Sequence, residues 1–196
     1  MREFLVYSAT ASTAPFIKDL KAAGRIDILL HSIISALFAS NEMRKDVKLH
    51  LFLNGPPKGN RHIEIEWNEE NTISKKDMKK LIEMCLRKCK EDETWREVHP
   101  GVRVRALGIE RVVDEIGERA SGVFMLDFNG EHIKKIITHT PKTLNSPLFL
   151  LGDHEGFDKQ TRKYFKKNTI RLSLGNQMYL TSQAITIINY ELDNLN

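Results

Sequence analysis

Short apolar runs recur along this chain, each ending in a small or polar loop. Five of them, Glu3-Phe-Leu-Val-Tyr-Ser8, Val47-Lys-Leu-His-Leu-Phe-Leu53, Gly122-Val-Phe-Met-Leu-Asp127, Pro147–Leu151 and Asn168–Leu174, have the length and character of buried strands. Two others alternate. Arg61-His-Ile-Glu-Ile-Glu-Trp67 predicts a half-exposed strand with Ile63, Ile65 and Trp67 on one face, and Val102-Arg-Val-Arg-Ala-Leu107 sets Arg103 and Arg105 on one face. Helical spacing fills the gaps. Asp27 stands where an N-cap would open a helix with Leu30, Ile33, Ile34, Leu37 and Phe38 on one side. Lys75–Lys90, Gly108–Glu118, Glu131–Thr138, Asp158–Lys167 and Tyr179–Leu192 predict further helices, and 15–23 predicts a loop with a helical turn. Asn54-Gly-Pro-Pro-Lys-Gly59 and His99-Pro-Gly101 are turn signals. Strand and helix alternate, so the expected class is α/β, a mainly parallel sheet flanked by helices. With no repeat, low-complexity tract or linker, residues 1–196 are expected to form a single domain.

Composition adds little to this picture until its distribution is considered. A hydrophobic fraction of 41% and a charged fraction of 29% are those of a soluble globular protein. No apolar run approaches a membrane span and no signal-peptide head is present, so a cytoplasmic protein without a membrane partner is expected. Cys85 and Cys89, spaced i,i+4 without a second pair, predict reduced thiols and no metal site. The net charge of +4 is compatible with nucleic acid without requiring it. The cations cluster, however. Residues 75–90 carry seven Lys or Arg against Asp77 and Glu83, and residues 158–171 carry Lys159, Arg162, Lys163, Lys166, Lys167 and Arg171 against Asp158 alone. Each run is either a solvated helix face or a seat for phosphates.

The second run bridges two glycine-bearing loops, within Leu148-Phe-Leu-Leu-Gly-Asp-His-Glu-Gly-Phe157 and Ile170-Arg-Leu-Ser-Leu-Gly-Asn-Gln-Met-Tyr-Leu-Thr-Ser-Gln-Ala184. Each loop follows a predicted strand, and open α/β sheets bind ligands at that edge. Gly152, Gly156 and Gly175 are expected to let backbone approach a flat molecule, or else to serve as plain turn residues. Neither loop contains the usual dinucleotide or triphosphate cradle.

Both loops resemble the cofactor loops of the SPOUT methyltransferases. Gly24-Arg-Ile-Asp-Ile-Leu-Leu-His-Ser-Ile-Ile-Ser-Ala-Leu-Phe38, Asn54-Gly-Pro-Pro57, His99-Pro-Gly-Val-Arg-Val-Arg105 and Leu107-Gly-Ile-Glu110 are similar to the archaeal tRNA pseudouridine N1-methyltransferases within that superfamily. Their order and spacing carry the resemblance over nearly the whole chain. It implies methyl transfer from S-adenosylmethionine to N1 of a pseudouridine in the tRNA T loop, at position 54. It also implies a C-terminal trefoil knot, which the rules of chain topology alone argue against, and a homodimer with the site near the subunit interface. Its cofactor positions fall on Leu126, Gly152, Gly156, Leu174, Gly175, Asn176, Gln177, Met178, Tyr179, Leu180 and Ala184. The family's pattern has a cysteine where this chain has Ala184, so no thiol nucleophile operates there.

Methyl transfer from a sulfonium depends mainly on holding donor and acceptor in line. The N1 proton of pseudouridine needs a base, or a group that stabilises the anion. Asp27 is the candidate acceptor or its orienting group, with a plain helix cap as the alternative, and Arg25 is placed to hold a phosphate or polarise a carbonyl. His154 is either an acid–base group or exposed loop polarity. Arg103, Arg105, Lys163, Lys166 and Lys167 are the candidate RNA contacts. Methylation of a ribosomal pseudouridine or of a ribose, or RNA binding without catalysis, remain alternatives to the tRNA reading.

Overall fold

The computed structural model describes residues 1–15, 19–70 and 74–195, and the turn expected over 15–23 therefore lies partly outside them. One eight-stranded sheet organises the chain. Its strands are β1 (Arg2–Ser8), β4 (Val47–Leu53), β5 (Arg61–Glu66), β6 (Arg96–His99), β7 (Val102–Arg105), β8 (Gly122–His132), β9 (Pro147–Gly152) and β10 (Ile170–Ser173), while β2 (Phe38–Ala39) and β3 (Glu42–Met43) make a separate small hairpin. Across the sheet the order is β10, β8, β9, β1, β4, β5, β7, β6.

The parallel expectation holds from β10 to β4 and fails beyond it, where β5, β7 and β6 run antiparallel. The cause is chain length. Parallel neighbours need a crossover of a dozen or more residues, whereas the Asn54–Asn60 turn and the Pro100–Gly101 turn are long enough only for hairpins. Gly101 sits in the second of these at φ 75°, a conformation that favours glycine. β6 was hidden from sequence reading because Val98 is its one apolar residue.

Helices cover both faces. Phe4, Val6, Leu49, Leu51, Ile63, Val104, Phe149 and Leu151 pack in one core with α1 (Ile26–Leu37), α2 (Met78–Lys88), α4 (Ile133–His139) and α6 (Thr181–Asp193). Leu5, Tyr7, Phe52, Leu148 and Leu150 pack in a second with α3 (Ile109–Gly117) and α5 (Lys159–Asn168). Asp158 caps α5, accepting from the Gln160 and Thr161 amides. The cap of α1 is not Asp27 as the sequence predicts but Arg25, in the left-handed region at φ 62°, and Asp27 lies inside the first turn without a capping bond. Gly24 allows this entry, since a Cβ there would meet the Thr10 carbonyl oxygen at 1.8 Å.

β5 departs from the half-exposed strand expected of it. Its alternate residues His62 and Glu64 are as buried as Ile63 and Ile65. Arg105 Nε donates to His62 Nδ1 (3.3 Å), His62 Nε2 then donates to His50 Nδ1 (2.9 Å), and His50 Nε2 donates to Glu3 Oε2 (2.7 Å). Burial, then the nearby Arg105 and Arg103 charges, hold the His62 imidazole well below its ordinary range, so it is neutral. Burial opposes ionisation of Glu3, but hydrogen bonds from His50 and Arg119 outweigh it and bring that carboxyl down to about 2. The Arg103 and Arg105 guanidinium groups both lie over the Trp95 ring, at 4.3 and 4.2 Å from its centroid.

Candidate functional site

All five parallel strands end at one edge of the sheet, and that edge carries a cavity of about 380 Å³. Three loops build it. The first follows β9: Asp153 N donates to the Tyr7 carbonyl (2.9 Å) and Gly156 N to the Asp153 carbonyl (3.0 Å), folding Asp153–Gly156 back as a tight turn. Gly152 is required by this turn rather than by a ligand, since an added Cβ would meet the Gly156 backbone at 2.6 Å. Gly156 behaves in the opposite way. It has φ 73° and open space where a Cβ would stand, so backbone there faces the cavity without obstruction.

The second loop is an excursion within β8. β10 pairs with Phe124 and Met125, then skips to Glu131 and His132, so residues 126–130 leave the ladder and Leu126, Asp127, Phe128 and Asn129 reach the cavity. Gly130 lets the strand rejoin, because a Cβ there would stand 2.6 Å from the Arg171 and Leu172 backbone. The expected Glu131 helix start is accordingly replaced by sheet, and α4 begins at Ile133. Arg171 Nε fixes the excursion by donating to Asp127 Oδ2 (3.0 Å).

The third loop runs from Ser173 to α6, where Thr181 Oγ1 donates to the Gly152 carbonyl (2.7 Å) and ties the helix start to β9. Of the eleven cofactor positions expected from sequence, Leu126, Gly152, Gly156, Leu174, Gly175, Gln177, Met178, Tyr179 and Ala184 line the cavity. Asn176 and Leu180 do not; both are exposed. The lining also includes Asp127, Asn129, Asp153, Phe157, Arg162 and Thr181, which sequence reading did not name as cofactor positions. Strand endings could have signalled Asp127 and Asp153; nothing local signalled Asn129 or Thr181.

Arg25 and Asp27 form one unit, with Arg25 Nε and Nη2 each donating to an Asp27 carboxylate oxygen at 3.0 Å. Those bonds hold the Asp27 carboxyl below the usual carboxylate range. The Arg25 guanidinium also feels the Asp153 carboxylate, which connects the α1 entry to the cavity wall. His154 is exposed, with Nε2 at 3.4 Å from Glu155. Lys163, Lys166 and Lys167 are exposed on α5, and Arg162 of the same helix lines the cavity. Arg103 reaches solvent while bonded to Glu64 (2.8 Å). Arg105 does not present itself to RNA as expected, being 7% exposed and engaged by Glu115 (2.5 Å) and His62. Among the described residues no cluster of His, Cys, Asp and Glu could hold a metal ion, and no helix is long and apolar enough to cross a membrane.

The fold has a counterpart in the crystal structure of Archaeoglobus fulgidus Nep1 bound to S-adenosylhomocysteine. That structure superposes with a TM-score of 0.65 at 13% identity, over 98% of this chain and 97% of that one. A glycine-bounded cavity at the carboxyl ends of parallel strands is a ligand site of an α/β fold. The family model described as "Putative SAM-dependent RNA methyltransferase" matches residues 1–196, and the chain belongs to that family. A Vibrio vulnificus protein named "Putative pseudouridine methyltransferase" is 30% identical over 98% of each chain. The "tRNA (pseudouridine(54)-N(1))-methyltransferase" of Methanocaldococcus jannaschii is 29% identical, over 98% of this chain and 97% of that one.

Proposed function

We propose that this protein transfers a methyl group from S-adenosylmethionine to N1 of the pseudouridine at position 54 in the T loop of tRNA. The carrying observation is the joining of the glycine-bounded cavity to the basic face of α5, whose Arg162 lines the one while Lys163, Lys166 and Lys167 extend the other. The named relatives support the substrate.

The residues fit the cofactor. A cavity of about 380 Å³ is in the range of small-molecule sites, and its Leu126, Leu174, Met178 and Ala184 offer apolar contact to a purine. Gly156 leaves backbone accessible. Bound there, S-adenosylmethionine supplies an electrophilic methyl whose leaving group is a neutral thioether. The chain's contribution is alignment and the handling of one proton. α5 holds the phosphate backbone. Arg25, paired with Asp27, is assigned to the acceptor, and Asp27, with both oxygens engaged by it, orients Arg25 rather than taking the proton.

We further infer one domain with a trefoil knot, working in the cytoplasm, where tRNA is found. The knot draws support from the likeness to Nep1 and from the path of β10, which passes β9 to reach β8 before Thr181 returns to Gly152. A homodimer draws support from Met178, Tyr179 and Leu180, a consecutive run that is 89%, 42% and 68% exposed, large for a lone surface. Mass spectrometry of tRNA nucleosides after incubation with the protein and cofactor tests the reading. N1-methylpseudouridine in the tRNA fraction is expected. Its appearance only in ribosomal RNA favours the second reading, which the Vibrio relative's name leaves open by specifying no RNA.

A further inference from the structure

The cavity wall holds a carboxylate oxygen with nothing to bind. Asp153 is buried, with its side chain 2% exposed. Its Oδ1 accepts the Glu155 amide (2.9 Å), while Oδ2 has no hydrogen-bond partner among the described residues and His154 Nδ1 stands off at 3.8 Å. A buried, unpaired carboxylate oxygen is costly, and native structures rarely keep one without a function. The backbone leaves it little freedom, because Asp153 N is bonded to Tyr7 on the neighbouring strand and the turn closes on Gly156. Asp153 lines the cavity on one side and lies within the field of Arg25 on the other. Asp153 is thus a cavity-lining carboxylate with one oxygen free, whereas both Asp27 oxygens are already engaged by Arg25.

We propose that Asp153 Oδ2 accepts the N1–H of the target pseudouridine and takes its proton during transfer, an assignment that rests on the function proposed above. In the balanced step, the N1–H bond breaks and a carboxyl O–H bond forms on Asp153. The N1 electron pair forms the N–CH₃ bond, and the carbon–sulfur bond breaks with its pair retained on sulfur. The sulfonium charge and the carboxylate charge disappear together, and Asp153 later returns its proton to water. Uridine presents no N–H at the corresponding ring position, so the same oxygen selects pseudouridine.

Asp153→Asn is the informative variant, since its side-chain oxygen can still accept from the Glu155 amide while its NH₂ replaces Oδ2 and faces the N1–H donor to donor. Three measurements decide the matter: calorimetric affinity for S-adenosylhomocysteine, single-turnover methylation, and affinity for RNA hairpins bearing pseudouridine or uridine with S-adenosylhomocysteine present. Unchanged S-adenosylhomocysteine affinity is expected, with a rate lowered roughly 10²–10⁴-fold, the worth of a positioned base. The parent is expected to prefer the pseudouridine hairpin roughly tenfold, as one charge-assisted hydrogen bond gives, and the variant to lose that preference. A variant with the parent's rate overturns the proposal. So does one whose rate recovers at saturating cofactor, since the carboxylate then serves the cofactor. A parent indifferent to the two hairpins overturns it without any variant. A parent that forms no methylpseudouridine overturns the proposed function itself, a failure visible before any substitution is made.

Discussion

In the parallel half of the sheet, from β10 to β4, both faces of the strands are largely apolar, and the polar groups around the cavity come from strand ends and the loops beyond them. In the antiparallel half, β5 and β7 carry ionisable side chains within the sheet, His62, Glu64, Arg103 and Arg105, and pair them with one another and with His50 and Glu3 on the adjoining strands β4 and β1. Charge in the first half is left available to ligands, and charge in the second is consumed by the fold. A count of basic residues therefore says little about where RNA binds. Arg105 and Lys166 are equal in sequence and opposite in availability.

The largest break in this contrast is expected at Gly152. A valine there must displace the Gly156 backbone, and overpacking of this kind costs about 1–3 kcal/mol, so S-adenosylhomocysteine affinity by calorimetry should fall roughly 10–100-fold. Parent affinity in a folded Gly152→Val protein would show that the turn does not shape the cavity. Next comes α5. Replacing Lys163, Lys166 and Lys167 by alanine should weaken tRNA binding and flatten its salt dependence by roughly one log–log unit per lost phosphate contact, leaving cofactor affinity intact. An unaltered slope would make that face merely solvated.

Arg105→Leu should do the reverse, lowering urea-measured stability by about 1–3 kcal/mol while tRNA affinity stays the same. A fall in tRNA affinity with unchanged stability would move the RNA surface to the antiparallel half. The smallest effect is expected from acid. Glu3 is lowered to about 2 from 4.5 when folded, so its contribution is complete above 4.5 and is lost as pH falls toward 2. Glu3→Gln should flatten the decline of stability across that window, and an identical pH profile in the variant would remove Glu3 from the account.

The parallel core and the glycine loops were legible because each is written locally, as an apolar run or a residue after a strand, whereas the cofactor positions came from the resemblance, and nine of the eleven line the cavity. What escaped depends on distant partners. The 126–130 excursion is set by the register of β10, some forty residues later. The burial of His62 and Glu64 follows from β4 and β7 lying on either side, so a strand that alternates like a surface strand became a central one. Asp27 looked like a cap because the left-handed Arg25 before it leaves no trace in the sequence. Asp153 could be seen beside the loop, but its unpaired oxygen could not.

The split pairing of β8 has a consequence for synthesis. Strand β8 leaves the ribosome well before β10, yet only β10 pins both ends of its excursion, and α6 supplies the wall from Thr181 to Ala184 later still. A nascent chain that has emerged through Phe157 already contains the first core strands and the Asp153 turn, but has no cavity to offer. Cofactor binding is thus a report on the completed C-terminal segment, and ribosome-stalled chains of increasing length should acquire it only after residue 184 has cleared the exit tunnel.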